Sequence, residues 1–284
     1  MRQLVRFTSF FPLFFYVVFS YLFASFALNA APSHHHLLGQ RPQIVIVIDD
    51  IGYNKEDIDA VNLPHDITLS VLPKTPYAKH YAALANQQGK DILLHIPMAS
   101  LSGKTLGPAA LTSDMNQSQI QQSLYSSLND FPYAIGVNNH MGSLLTQMPE
   151  PMKWTMQFLK QHHLCFLDSR TTKHTQAERI ANNEGVKTLR RHVFLDNKTT
   201  PEYLQQQFNQ LLTAAKTQGM AIGIAHPHPE TIQFLSAALN SLSEKNIELI
   251  PLSAALGDDF SPIALAQASR VAAGDMHSNT RINE

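Results

Sequence analysis

The chain predicts an α/β fold of about seven parallel strands, in a sheet or a barrel, and two observations carry that prediction. Short runs of aliphatic residues, many of them β-branched, alternate with segments of helical spacing; βα units of this kind build a parallel sheet or barrel. Nearly every one of those runs ends in Asp, His or Asn. In a barrel the strand ends converge on one mouth, so the repetition gathers polar groups in one place. The alternation occupies residues 43–256 and reads as one α/β domain.

The flanks read differently. Arg2 and Arg6 precede an almost unbroken aromatic and aliphatic run over residues 7–28, followed by Asn29-Ala30-Ala31. Residues 1–31 therefore fit a signal peptide, and the run is also long enough for an N-terminal membrane anchor. The expectation is an exported chain, in the periplasm or cell envelope, with no other membrane association. Residues 32–42 form a polar linker whose His34-His35-His36 reads as a solvated run. Residues 257–284 are polar and small, with no apolar face, and predict a disordered tail.

Within the domain, Ile44-Val45-Ile46-Val47-Ile48 is apolar at five consecutive positions, as a strand buried on both faces requires, and it runs into Asp49-Asp50. Burying two adjacent carboxylates in a core costs several kcal/mol per ion unless cations or donors compensate, so they belong at the mouth. Residues 53–62 make a short helix or loop and 67–72 a second strand before Pro73. A helix over 77–88 stops at Gly89, and residues 91–98 form the third strand, containing His95. A loop over 100–113 and a helix over 117–128 lead to a strand at 134–137, which exits through Asn138-Asn139-His140-Met141-Gly142-Ser143. A helix over 151–161 and a strand at 164–167 leave through Asp168-Ser169. The remaining units are a helix at 176–183, a strand at 193–195 before Asp196, a helix at 201–218 ended by Gly219, and a strand at 221–225 before His226-Pro227-His228-Pro229. A helix at 231–242 and a strand at 247–250 complete the domain.

Composition narrows the function. Charged residues make up 15% of the chain and the net charge is −1, which leaves no basic face for a nucleic-acid backbone. The single cysteine, Cys165, lies in an apolar run, where it fills core space rather than serving as a nucleophile. Gly103-Lys104-Thr105 is not a phosphate loop, because the glycine required five residues earlier is Met98. A dinucleotide glycine turn after the first strand and a serine-hydrolase elbow are both missing from the sequence.

What remains is the set of strand-end groups: Asp49, Asp50, His95, His140, Asp168, Asp196, His226 and His228. One carboxylate and two imidazoles make a common arrangement for a divalent metal with open positions, suited to zinc among other ions. A second carboxylate can take a proton from water and an opposing imidazole can give one to a leaving group, which is metal-assisted hydrolysis. A phosphoesterase variant of that chemistry would draw its basic cluster from Arg170, Lys173, Arg190 and Arg191.

Five ordered motifs give these residues a family likeness. Ile48-Asp49-Asp50-Ile51-Gly52, Leu94-His95-Ile96-Pro97-Met98, Asn138 to Ser143, Phe166-Leu167-Asp168-Ser169 and His226-Pro227-His228-Pro229 resemble the divergent branch of the polysaccharide deacetylase superfamily. The resemblance implies a distorted (β/α) barrel with seven strands, and an exported enzyme that uses a zinc-like ion to remove acetyl groups from N-acetylated sugars of an envelope glycan. It implies Asp50 and His95 as metal ligands, Asp49 as general base and His226 as the group that protonates or orients the leaving group. Two departures stand out. The second metal histidine of the superfamily would fall at Ala99, and His140 is the expected replacement. The Arg-x-Pro-Tyr motif is also missing, with Asn139 or nearby backbone amides expected in its place. Asn139, Asp168, Ser169 and His228 are the expected substrate contacts. The competing expectation is a catalytically weak barrel of the envelope that binds a glycan or partner through the same mouth.

Overall fold

A computed structural model of the protein describes residues 41–64 and 66–257. The expected signal or anchor segment, most of the linker and nearly all of the expected tail lie outside the described residues. Among the described residues no helix is long and apolar enough to cross a membrane.

The strands are β1 (Gln43–Ile51), β2 (Thr68–Val71), β3 (Ile92–Met98), β4 (Gly136–Met141), β5 (Cys165–Asp168), β6 (Thr188–Arg190), β7 (Val193–Phe194), β8 (Met220–Ala225) and β9 (Glu248–Leu249). Eight of them form one curled path in the order β6-β5-β4-β3-β2-β1-β8-β7, and every pairing is parallel. The ninth, β9, pairs the first residues of β1, Gln43 and Ile44. The two ends of the path, β6 and β7, are joined in the chain by Arg191 and His192 alone. Arg191 N–H donates to Asp168 O at 2.9 Å and His192 N–H to Ile222 O at 2.8 Å, so two residues step across the seam from β5 to β8.

The expected barrel class holds, with one strand more along the path than the expected seven. The unforeseen strand is β6, whose Thr188-Leu189-Arg190 offers a single apolar side chain and is only partly buried. Its position at the end of the path asks for no continuous apolar run. Helices α1 (Ile58–Val61), α2 (Ala78–Gln87), α3 (Gln117–Leu128), α4 (Pro149–Gln161), α5 (Ala177–Glu184), α6 (Pro201–Gln218), α7 (Pro229–Ala238) and α8 (Leu252–Leu256) complete the units. Helix α6 shows why such bounds are readable: Thr200 caps its first turn by accepting from Tyr203 N–H, Pro201 opens it, and Gly219 ends it at φ 86.

Strand alternation sorts the core into two layers. Ile44, Ile46 and Ile48 join the large cluster shared with the helices. Val45 and Val47 join a smaller cluster with Leu93, Cys165, Leu167, Ile222 and Ile224, which fills the barrel interior. Each of these side chains is fully or almost fully buried, worth roughly 1.5–3 kcal/mol apiece relative to exposure. The interior plug is apolar low in the barrel and turns polar at the next residue on the same face: Asp49 follows Val47, and His95 follows Leu93.

Candidate metal centre and its flanking dyad

Strict alternation would send Asp49 and Asp50 to opposite faces of β1. A bulge prevents this: Ile48 pairs Leu69 but Ile51 pairs Val71, so β1 carries one extra residue against β2. Asp50 absorbs it with φ 62, the left-handed region, and both carboxylates reach the mouth. The chain then turns at Gly52, where a Cβ would come within 2.2 Å of Thr75 Oγ1. The turn is held by Asp57, whose Oδ2 accepts from Gly52 N–H at 2.7 Å and Asn54 N–H at 3.1 Å.

Asp50, His95 and His140 come together at this mouth. Asp50 Oδ1 lies 3.0 Å from His95 Nε2 and 2.8 Å from His140 Nδ1. The two ring nitrogens are 3.2 Å apart, with the rings edge to face. Although buried, Asp50 Oδ1 has no hydrogen bond of acceptable geometry. Three donor atoms at such separations approximate one face of a tetrahedron with ~2.1 Å bonds, whose edge is ~3.4 Å. One carboxylate oxygen and two imidazoles also suit a divalent ion chemically, so the residues fit a metal such as zinc. His140 comes from the strand beside that of His95 and is the third residue of the cluster, which does not include Ala99.

Asp49 sits beside the triangle, its Oδ2 3.7 Å from His95 Nε2 and its Oδ1 accepting from Asn138 Nδ2 at 2.8 Å. Burial raises its pKa, and the positive character of His95 and His226 opposes that only in part. Burial also penalises ionised Asp50, but the close approach and charge of His140 and His95 outweigh it and hold the carboxyl well below the usual range. The reverse holds at His95, where burial lowers the pKa and Asp49 and Asp50 together raise it.

A second acid and imidazole pair faces the same opening from β7 and β8. Asp196 Oδ1 is 2.9 Å from His226 Nδ1, while its Oδ2 accepts from His226 N–H at 2.6 Å and Thr231 Oγ1 at 3.1 Å. Burial pushes His226 down, but the hydrogen bond and charge of Asp196 prevail and raise its pKa to about 9. A cleft of about 270 Å³ connects the two groups, lined by Asp50, Tyr53, Leu72, His140, His226 and His228.

Three expected substrate contacts do not line the cleft. Asn139 accepts from Ser169 N–H at 3.0 Å and donates to Met141 O at 2.7 Å, which spends its amide on joining β4 to β5. Asp168 shares the strand face of Phe166, which packs toward the helices, and accepts from Arg170 N–H and Thr175 Oγ1 to brace the following loop. Ser169 is buried, its Oγ 3.4 Å from Asn138 Nδ2. His228 does line the cleft, exposed at its lip, with its ring 6.1 Å from that of His226. The basic residues of the phosphoesterase reading are elsewhere: Arg170, Arg190 and Arg191 line a separate cavity at the seam.

Sequence reasoning missed Asn138, which is buried between Asp49 and His95. The signal was present, because alternation puts Asn138 on the face of His140 and Asn139 on the other. Arg191, expected only as a basic group for an anionic substrate, bonds Ser169 O and Arg170 O through its guanidinium and stacks 3.6 Å over Phe194, itself stacked on His226.

The family model for divergent polysaccharide deacetylases matches residues 46–256. The chain is 38% identical over 235 residues to the uncharacterized protein YibQ of Escherichia coli strain K12, covering 82% of this chain and 72% of that one. It is 40% identical over 209 residues to an uncharacterized protein of Haemophilus influenzae, covering 73% and 74%. An uncharacterized protein of Agrobacterium tumefaciens C58, known as a crystal structure, shares the fold with a TM-score of 0.72 at 22% identity, over 76% of this chain and 89% of that one.

Proposed function

Because the chain belongs to the divergent polysaccharide deacetylase family, we propose that it is a metal-dependent hydrolase that removes acetyl groups from N-acetylated sugars of a cell-envelope glycan. The observation that carries the reading is the unsatisfied Asp50 Oδ1 facing two imidazole nitrogens, flanked by a buried carboxylate and an imidazole held by Asp196. Zinc is the ion proposed, and the apolar segment over residues 7–28 supports an envelope location.

Asp50, His95 and His140 would hold the ion, which supplies a Lewis acid for the acyl oxygen and for the attacking water. Asp49 is the general base; its raised pKa strengthens it as a proton acceptor. His226 is the general acid. Its Nδ1 is engaged by Asp196, which leaves Nε2 to deliver a proton to the departing amine, and a pKa of about 9 keeps that proton in place at neutral pH. Tyr53, exposed at the rim, offers a ring face to a sugar.

The engagement of Asn139 favours a competing reading, a glycan-binding barrel without turnover, since no side-chain amide replaces the expected oxyanion donor there. Acetate release decides between them. The zinc-loaded chain is expected to liberate acetate from N-acetylglucosamine oligomers and to stop on chelation. Saturable oligomer binding with no acetate would sink the deacetylase reading.

A further inference from the structure

The structure points to Asn138 as the residue that presents His95 to the cation, and we propose that its side-chain amide fixes His95 with Nδ1 protonated and Nε2 free to ligate. This rests on the metal-site reading above. Asn138 is fully buried, and its amide meets four polar groups, Ser169 Oγ at 3.4 Å from Nδ2 and three closer ones whose chemistry leaves one arrangement. Asp49 Oδ1 lies 2.8 Å from Asn138 Nδ2, and a carboxylate only accepts, so the NH₂ must face it. The carbonyl Oδ1 is thereby turned to the other side, where Ser70 Oγ donates to it at 2.5 Å. His95 Nδ1 lies 2.8 Å from the same oxygen, which cannot donate, so the ring nitrogen must carry the hydrogen. In the neutral ring Nε2 is then the lone-pair nitrogen, and it is the one 3.0 Å from Asp50 Oδ1.

His140 takes the opposite arrangement, because Nδ1 is the atom turned to Asp50 and to His95. The two metal histidines would therefore ligate through different nitrogens. Asn138 also holds the Asp49 carboxylate in its place, so one amide positions base and ligand together. Ser70 on β2 gives it a fixed anchor across the barrel, which a mobile water would not.

The test uses the full chain loaded with zinc or cobalt. Long-range proton–nitrogen NMR correlations on the zinc-loaded protein are expected to show hydrogen on Nδ1 of His95 and on Nε2 of His140. Cobalt titration of Asn138→Ala is expected to show affinity lower by about 10- to 100-fold, as loss of a ligand's orienting partner commonly does. Asn138→Asp keeps an acceptor for His95 and loses the donor toward Asp49. It is expected to bind cobalt within about threefold of the parent while its kcat falls at unchanged KM. Hydrogen on Nε2 of His95, an unchanged cobalt affinity in folded Asn138→Ala, or equal affinity losses in both variants would each overturn the assignment. If Asn138→Ala does not fold, the NMR result on the parent chain decides. A parent chain that binds cobalt but releases no acetate overturns the deacetylase reading alone, whereas one that takes up no cobalt overturns both.

Discussion

Two clusters of the same composition, Asp50 with His95 and His140, and Asp196 with His226 and His228, stand at one mouth, and each places one ligand atom per residue within 4.8 Å of the others. They differ in what is already satisfied. In the first, a buried carboxylate oxygen faces two ring nitrogens and completes no hydrogen bond. In the second, both oxygens of Asp196 are taken, by His226 twice and by Thr231 once, and His228 is exposed. A buried oxygen without a hydrogen bond between two ring nitrogens fits a cation, while a satisfied one orients a neighbouring ring. Residue type alone does not separate the proposed metal cage from the proposed proton donor; hydrogen-bond completeness does.

The sharpest way to break that distinction is Asp50→Ala. It should reduce bound zinc to background and lower acetate release by about 10³-fold or more, the several kcal/mol that a Lewis acid supplies. A variant that keeps stoichiometric zinc by elemental analysis would erase the difference between the clusters. Next in size, Asp196→Asn should leave zinc content unchanged while lowering kcat by about 10²-fold, as loss of an oriented acid does.

The pH profile separates the pair further. In the proposed reaction His226 acts while protonated, so the parent's alkaline limb should lie near its pKa of about 9. Without Asp196 that limb should move down, because the group opposing burial is gone. The same raised pKa stabilises the fold fully below the ordinary imidazole range, and that contribution fades as pH rises through about 9. A melting series from pH 6 to pH 10 on parent and variant should therefore converge at the alkaline end. The smallest effect is expected at the lip, where His228→Ala should raise KM by about fivefold or less with kcat intact. A large fall in kcat would show that His228 belongs with the reacting groups.

Much of this arrangement was legible before any coordinates. Apolar strands alternating with capped helices gave the barrel, and α3 and α6 match their expected bounds to the residue. The convergence of Asp50, His95 and His140 followed from strand ends sharing a mouth. Less legible was where strands stop: β1 and β4 run on through Asp50 and His140, and Asn138 of β4 bonds both Asp49 and His95 inside the barrel. Expecting those residues in exit loops hid the two-residue alternation, and with it the exchange of roles between Asn138 and Asn139. Asp168 was misread for a related reason. A strand-end carboxylate looks alike from either face, and only the parity with Phe166 shows that it turns outward.

The order of strands also governs when the molecule can fold. From β1 the sheet grows through β2, β3, β4 and β5 to β6 as the chain lengthens, but the other edge of β1 pairs β8, from Gln43 opposite Met220 to Ile48 opposite Ala225. During synthesis, that edge of the most apolar strand waits unpaired until residues 220–225 have been made. An open apolar edge is a template for pairing with other chains. Folding that must await a partner so distant in sequence is slow and exposed to aggregation. The strand that later carries Asp49 and Asp50 is thus the nascent chain's main liability. A chain truncated before Met220 should be recovered as aggregate rather than as a smaller barrel.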